Sequence, residues 1–284
     1  MSFQRVNIYI DGDTIVLPEF QMIRRNVRMS NLEALIFDVD GTLADTERDG
    51  HRVAFNLAFK GAGLDWDWTP ELYGELLAVT GGKERIRYYL EKFNTRFEKP
   101  GNFSEFVAGL HAAKTNFYTR LMAEGRIPLR PGVERLLKEA RRAGIRIAIA
   151  TTTTPENVTA LLTYTLGAGS LKWFEVIGAG DVVPAKKPAP DIFHYVMKEM
   201  NLAPEQCIVF EDSYNGIRSA VKARLTTLIT TTGYTRDDDF AGAAIVLDQM
   251  GEPNSPFNLI TGNAHGHSYV DMTMVRALHK AAHG

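Results

Sequence analysis

The chain has 284 residues, 45% hydrophobic and 23% charged, with 32 basic and 34 acidic side chains and a formal net charge of −2. That balance suits a globular protein and excludes both the broad basic surface of a nucleic-acid binder and the composition of a disordered chain. No apolar stretch approaches the ~18 residues of a membrane span, and the lone Cys207 has no partner for an internal disulfide, so a reducing, cytoplasmic setting without membrane or nucleic-acid partners is expected.

Ile8–Tyr9–Ile10, Asp11–Gly12–Asp13 and Ile15–Val16–Leu17 read as strand, turn, strand. Asp11, Asp13 and Glu19 break any secretory pattern. Met29 stands just before the first strong core strand as an alternative start, so residues 1–30 are expected to be an extension without an assigned role. Ala34–Leu35–Ile36–Phe37 is then a short continuous apolar run ending in Asp38, and similar runs recur at Ile145 to Ala150, Phe174 to Ile177, Ile208 to Phe210, Leu225 to Ile229 and Ala244 to Leu247. Runs of this length fit strands buried on both faces of a parallel sheet. Helical patterns lie between them: Val133, Leu136, Leu137 and Ala140, stopped by Gly144; Ile192, Tyr195, Val196 and Met200, before Pro204; and Ile217, Ala220 and Val221. The alternation predicts an α/β fold with a doubly wound, Rossmann-like parallel sheet.

From about residue 48 to 127 the alternation stops and four helical patterns follow one another, the last running from Phe106 to Met122. This block is expected to be a helical cap inserted into a core formed by residues 31–47 and 128–250, with Pro128 and Pro131–Gly132 marking the return. Residues 251–284 read as a tail, with an amphipathic helix from Val270 to Ala282. His265 and His267 are more ordinary as solvated residues than as metal ligands, and Cys207, before an apolar strand, as a buried thiol.

Ligands in open α/β sheets sit beyond the carboxyl ends of the strands, and four polar clusters fall there. Asp38–Val39–Asp40–Gly41–Thr42 places two carboxylates at alternate positions before a glycine turn. One carboxylate can attack phosphorus and the second can act as general acid and then base, although Asp-x-Asp-Gly alone also fits a solvated turn or part of a calcium loop. Thr151 and Thr152 follow a strand, and Pro155–Glu156 opens a helix beside them; Thr154 fits its N-cap and Thr151 a phosphate ligand. Lys187, in Lys186–Lys187–Pro188, can offset negative charge, and Glu211–Asp212 offers hard oxygens suited to Mg²⁺.

In combination, Asp38-Val-Asp-Gly-Thr-Leu, Lys187-Pro-Ala-Pro-Asp-Ile-Phe and Phe210-Glu-Asp-Ser-x-x-Gly-Ile resemble the haloacid-dehalogenase-like phosphatase superfamily over roughly Leu32 to Leu247. The resemblance implies Asp38 as nucleophile, Asp40 as acid/base, Thr151 and Thr152 as phosphate ligands and Lys187 as charge stabiliser. It also implies Mg²⁺ held by Asp38, the Asp40 main-chain carbonyl and Asp212, with Glu211 close by. Ala44-Asp-Thr-Glu-Arg-Asp-Gly-His-Arg-Val-Ala-Phe-Asn, Leu64-Asp-Trp-x-Trp and Thr80-Gly-Gly-Lys-Glu-Arg-Ile are similar to the CbbY-type branch, which is related to β-phosphoglucomutase. Members of that branch hydrolyse xylulose-1,5-bisphosphate. The expectation is therefore a phosphatase acting, as a monomer, on a small sugar phosphate. Asp45, His51, Arg52, Gly82, Lys83, Arg85 and Lys114 are candidate substrate contacts, with Lys83, Arg85 and Lys114 placed on a second phosphate. A phosphomutase built from the same residues, and a non-catalytic sugar-phosphate sensor, are the alternatives.

Overall fold

A computed structural model of the protein describes residues 8–10, 13–15, 31–79 and 81–284. Two short strands, β1 (Ile8–Ile10) and β2 (Asp13–Ile15), pair antiparallel; the second begins at Asp13, expected in the turn, and Asp11, Gly12, Val16, Leu17 and Met29 lie outside the described residues. The main sheet has seven strands in the order β5-β4-β3-β6-β7-β8-β9. They are β3 (Ala34–Phe37), β4 (Arg146–Ala150), β5 (Val176–Gly178), β6 (Cys207–Glu211), β7 (Thr226–Thr230), β8 (Ile245–Leu247) and β9 (Leu259–Gly262). All neighbours pair parallel except β8 and β9. The expected α/β sheet is therefore present.

Because side chains alternate along a strand, one set of residues feeds two cores. Leu35 and Phe37 of β3, with Ile147, Ile149, Ile208 and Phe210, pack on one face against α5 (Val133–Arg142) and α6 (Pro155–Leu166). Ala34 and Ile36, with Ala148, Ala150 and Val209, pack on the other against α7 (Asp191–Met200) and α8 (Tyr214–Lys222). The strand order reverses at β3, which has β4 on one side and β6 on the other. This is where a crevice opens beyond the strands' carboxyl ends.

Between β3 and α5 lie a π-helical turn, Glu47–His51, and four helices: α1 (Arg52–Gly61), α2 (Pro70–Leu76), α3 (Gly82–Lys92) and α4 (Phe103–Ala123). Their inward residues, among them Phe55, Phe59, Trp66, Trp68 and Tyr73, form a hydrophobic cluster of their own. The foot of α4 (Tyr118, Leu121 and Met122) belongs instead to the core under the sheet, which anchors the insert. No described helix is long and apolar enough to cross a membrane.

Two segments differ from the sequence expectation. β5 begins at Val176 rather than Phe174, because Phe174 follows a 3-10 turn, Ser170–Trp173, and its ring fills the core. The segment after residue 250, expected as a tail, is built into the core. β9 extends the sheet, and α9 (Met272–His283) buries Met274, Val275 and Leu278 in the same cluster as α5. Arg135 of α5 fastens it, donating to Glu252 Oε2 at 2.7 Å and to the carbonyls of Gly251 and Val270 at 2.7 and 2.9 Å.

Candidate active site

Four loops meet above the strand ends. Asp38 follows β3, and its Oδ1 accepts from Lys187 Nζ at 2.6 Å. The same ammonium donates to Ala150 O at the end of β4, at 2.8 Å, and to Glu211 Oε1 at the end of β6. Asp38, Glu211 and Asp212 are all buried, and each offers an oxygen within 4.8 Å of the others. Two glycines make this closeness possible. At Gly41, with φ +85°, a Cβ would stand 2.0 Å from Asp212 Oδ2; at Gly216, in the first turn of α8, it would stand 1.9 Å from Glu211 Oε2.

The electrostatics follow from burial. Burial, then Asp38, then Glu211 push the Asp212 carboxyl well above the usual carboxylate range. Glu211 is pushed up to about 7, again first by burial, with Lys187 opposing. Lys187, although buried, is held above the ordinary lysine value by Asp38 and Glu211. Lys187 offsets only part of the charge of three carboxylates, and the hard oxygen donors match Mg²⁺. The residues therefore fit that cation.

Asp40 points the other way. Its Oδ1 accepts from Thr46 Oγ1 at 2.5 Å and lies 4.0 Å from His51 Nε2. Burial, Glu47 and Asp38, in that order, raise its pKa to about 7. A cavity of about 400 Å³ is lined by Asp38, Asp40, Asp45, Thr151, Thr152, Lys187 and Asp212 together with Glu47, Tyr214 and Tyr234. A larger groove of about 720 Å³ runs beside it, over Arg130 and the ends of β7 and β8, but its lining contains neither Asp38 nor Asp212. The smaller cavity is thus the one that holds the chemistry.

The structure brings Asp38, Asp40, Thr151, Thr152, Lys187, Glu211 and Asp212 together. The candidates on the insert are arranged differently. His51, Arg85 and Lys114 are buried beneath it, and none of them lines the cavity. Lys114 Nζ lies 2.8 Å from His51 Nδ1; burial pulls its pKa down to about 8 and pushes that of His51 well below the usual range. Lys83 is exposed, Gly82 is half-buried, Thr80 lies outside the described residues, and Arg52 Nη1 donates to Trp68 O at 3.3 Å. Sequence reasoning missed the relay that joins Arg85 to the cavity. Arg85 Nη1 donates to Tyr73 Oη, which donates to Glu47 Oε2, both at 2.5 Å. Glu47 stood in a quoted motif, but nothing local marks Tyr73 as its partner 26 residues away. Thr46 carried a signal, two residues past Ala44 in the same motif, but its bond to Asp40 needs the folded loop.

A parallel sheet carrying an aspartate-lysine-carboxylate cluster at its switch point, under a helical insert, defines a hydrolase class rather than a binding module. The family model for haloacid dehalogenase-like hydrolases matches residues 32–224. The CbbY protein of Cereibacter sphaeroides is 48% identical over 221 residues, covering 78% of this chain and 94% of that one. A crystal structure of mutant CbbY from Rhodobacter sphaeroides in complex with xylulose-(1,5)bisphosphate superposes with a TM-score of 0.67 at 47% identity, covering 77% of this chain and 94% of that one. A putative β-phosphoglucomutase from Thermotoga maritima gives 0.61 at 27% identity, covering 75% and 93%. The chain belongs to the haloacid dehalogenase-like hydrolases, in the branch that holds the CbbY proteins, and is an enzyme of the phosphatase kind.

Proposed function

We propose that the protein hydrolyses a phosphomonoester of a small sugar, fittingly a sugar bisphosphate such as xylulose-1,5-bisphosphate, through a phosphorylated Asp38. One observation carries this reading: the Asp38 carboxylate faces the cavity while Lys187 holds it at 2.6 Å beside buried Glu211 and Asp212. In the first half-reaction an Asp38 oxygen attacks phosphorus, and Asp40 gives its proton to the departing sugar oxygen. With a pKa of about 7, Asp40 is substantially protonated at neutral pH. In the second half-reaction the Asp40 carboxylate takes a proton from the water that attacks the phosphoaspartate. Thr151, Thr152 and Lys187 bind the phosphoryl oxygens throughout. Asp38, Asp212, Glu211 and the Asp40 main-chain carbonyl would hold Mg²⁺, which supplies positive charge against the repulsion between carboxylate and phosphate.

Support for a doubly phosphorylated substrate comes from the solved relative's ligand, and Lys83, Arg85 and Lys114 are the insert cations assigned to its second phosphate. On this reading those three would serve the second phosphate, and Asp45, His51, Arg52 and Gly82 the sugar, once the insert shifts, because of these seven residues Asp45 alone lines the cavity here. A phosphomutase is the second reading, favoured by the likeness to the Thermotoga protein.

The test is a panel of sugar phosphates, xylulose-1,5-bisphosphate among them, incubated with enzyme and Mg²⁺. Stoichiometric inorganic phosphate that vanishes in Asp38→Asn supports the hydrolase. An isomeric sugar phosphate without phosphate release would establish the mutase instead, and turnover surviving Asp38→Asn would overturn both.

A further inference from the structure

Arg130 lies where the insert returns to the core, directly before Pro131–Gly132 and α5. Its main-chain N donates to Leu43 O at 2.8 Å, so the residue is fixed to the turn that follows β3. Its guanidinium reaches three separate segments. Nη1 donates to Gly41 O, and to Thr230 O and Oγ1 at 3.0 and 3.2 Å; Nη2 donates to Thr231 O at 2.6 Å and Asp248 O at 2.7 Å. The segments are the turn after β3, the end of β7 and the residue after β8. None of the Arg130 hydrogen bonds goes to a carboxylate; a half-buried fork instead gathers four main-chain carbonyls and the Thr230 hydroxyl, which is the geometry a planar guanidinium provides and an ammonium does not.

The contact with Gly41 has consequences for the cluster. Gly41 follows Asp40 and has a positive φ, and its Cα is pressed so closely on Asp212 that an added Cβ would meet Oδ2 at 2.0 Å. A shift of the Gly41 peptide therefore moves Asp40 on one side and releases Asp212 on the other. Asp38, two residues before Asp40, shares that turn. We propose that Arg130 is a positioning residue for the metal and acid/base groups: by clamping Gly41 to the ends of β7 and β8 it fixes the separation of Asp38, Asp40 and Asp212. This inference rests on the cation site proposed above.

The test uses Arg130→Lys, with Arg135→Lys as control. Arg135 also forks onto main-chain carbonyls, but of Gly251 and Val270, neither of which lines the cavity. Mg²⁺ affinity is measured by titration calorimetry, thermal unfolding without metal is recorded, and the pH profile of kcat is taken. Outer partners of metal ligands typically change affinity by about 10–100-fold. Arg130→Lys is expected to weaken Mg²⁺ binding by about that factor and to shift the pH profile, while Arg135→Lys lowers the melting temperature and leaves Mg²⁺ affinity as in the wild type. Wild-type Mg²⁺ affinity in Arg130→Lys would overturn the inference, as would equal weakening in both variants. Failure of the unmutated protein to bind Mg²⁺ would instead overturn the cation site.

Discussion

Replacing Gly216 by alanine is a sharp test, because local and tertiary physics give opposite signs. Gly216 sits in the first turn of α8, where alanine is the better helix former by about 1 kcal/mol. Yet its Cβ would lie 1.9 Å from Glu211 Oε2 and 2.1 Å from the carboxyl carbon, far inside contact distance. Glu211 is 1% exposed, and it is pinned by Lys187 on one oxygen and by the Asp212 N–H, at 3.2 Å, on the other. To make room the carboxylate must leave Lys187, and breaking one member of a buried ion cluster costs about 3–5 kcal/mol. Asp38 still holds Lys187, so the lower end applies, and the helix gain offsets about 1 kcal/mol of it. The expected net loss is about 2 kcal/mol in the metal-free protein. Phosphatase activity should fall about 10–100-fold, as when a partner of metal ligands is moved. Urea unfolding gives the first quantity and phosphate release the second. A variant as stable as the parent, or more so, and fully active would refute the placement of Glu211 and the role derived from it.

Three other outcomes follow from the same geometry. Asp40 and Glu211, both raised to about 7, bind more protons in the folded than in the unfolded state between about pH 4 and 7. Metal-free protein should thus lose stability as pH rises through that window, and Mg²⁺ should raise the melting temperature more at pH 8 than at pH 5; a flat metal-free profile would contradict this. Lys114, at about 8 in the free enzyme, should be driven upward by a second phosphate. Sugar-bisphosphate binding near pH 8 to 9 would then take up a proton, seen as a dependence of the calorimetric heat on buffer ionisation, whereas a monophosphate should show less. Deleting residues 251–284 strips buried Val270, Met274, Val275 and Leu278 from the core. At about 1.5–3 kcal/mol for each side chain the loss rivals the whole stability of a domain, so the truncated chain should fail to yield a folded, soluble protein.

How much of this was legible in the sequence depends on the range of the interaction. Buried parallel strands announce themselves as continuous apolar runs, so β3, β4, β6, β7 and β8 could be read within a residue or two, and the polar residues after them fell at the site. β9 left no such trace: Leu259 and Ile260 are exposed, on a four-residue antiparallel edge strand that ends in Thr261 and Gly262. The place of α9 in the core was equally silent, because an amphipathic pattern shows that a helix has a partner and not which one. Arg130 and Tyr73 act through contacts 89 and 26 residues away, with Gly41 and Glu47 respectively. Neither stands in a local pattern that marks it. Lys114, an ordinary surface lysine by its neighbours, is 8% exposed because α4 turns it beneath the insert toward His51.

The most direct measurement is acid quenching of the enzyme during turnover of a sugar bisphosphate with Mg²⁺, followed by peptide mass spectrometry. A phosphoryl group carried on the peptide containing Asp38, and missing from Asp38→Asn, is the predicted result. Turnover with no phosphorylated peptide trapped under any quench, or with the group on another side chain, would contradict the nucleophile assigned here.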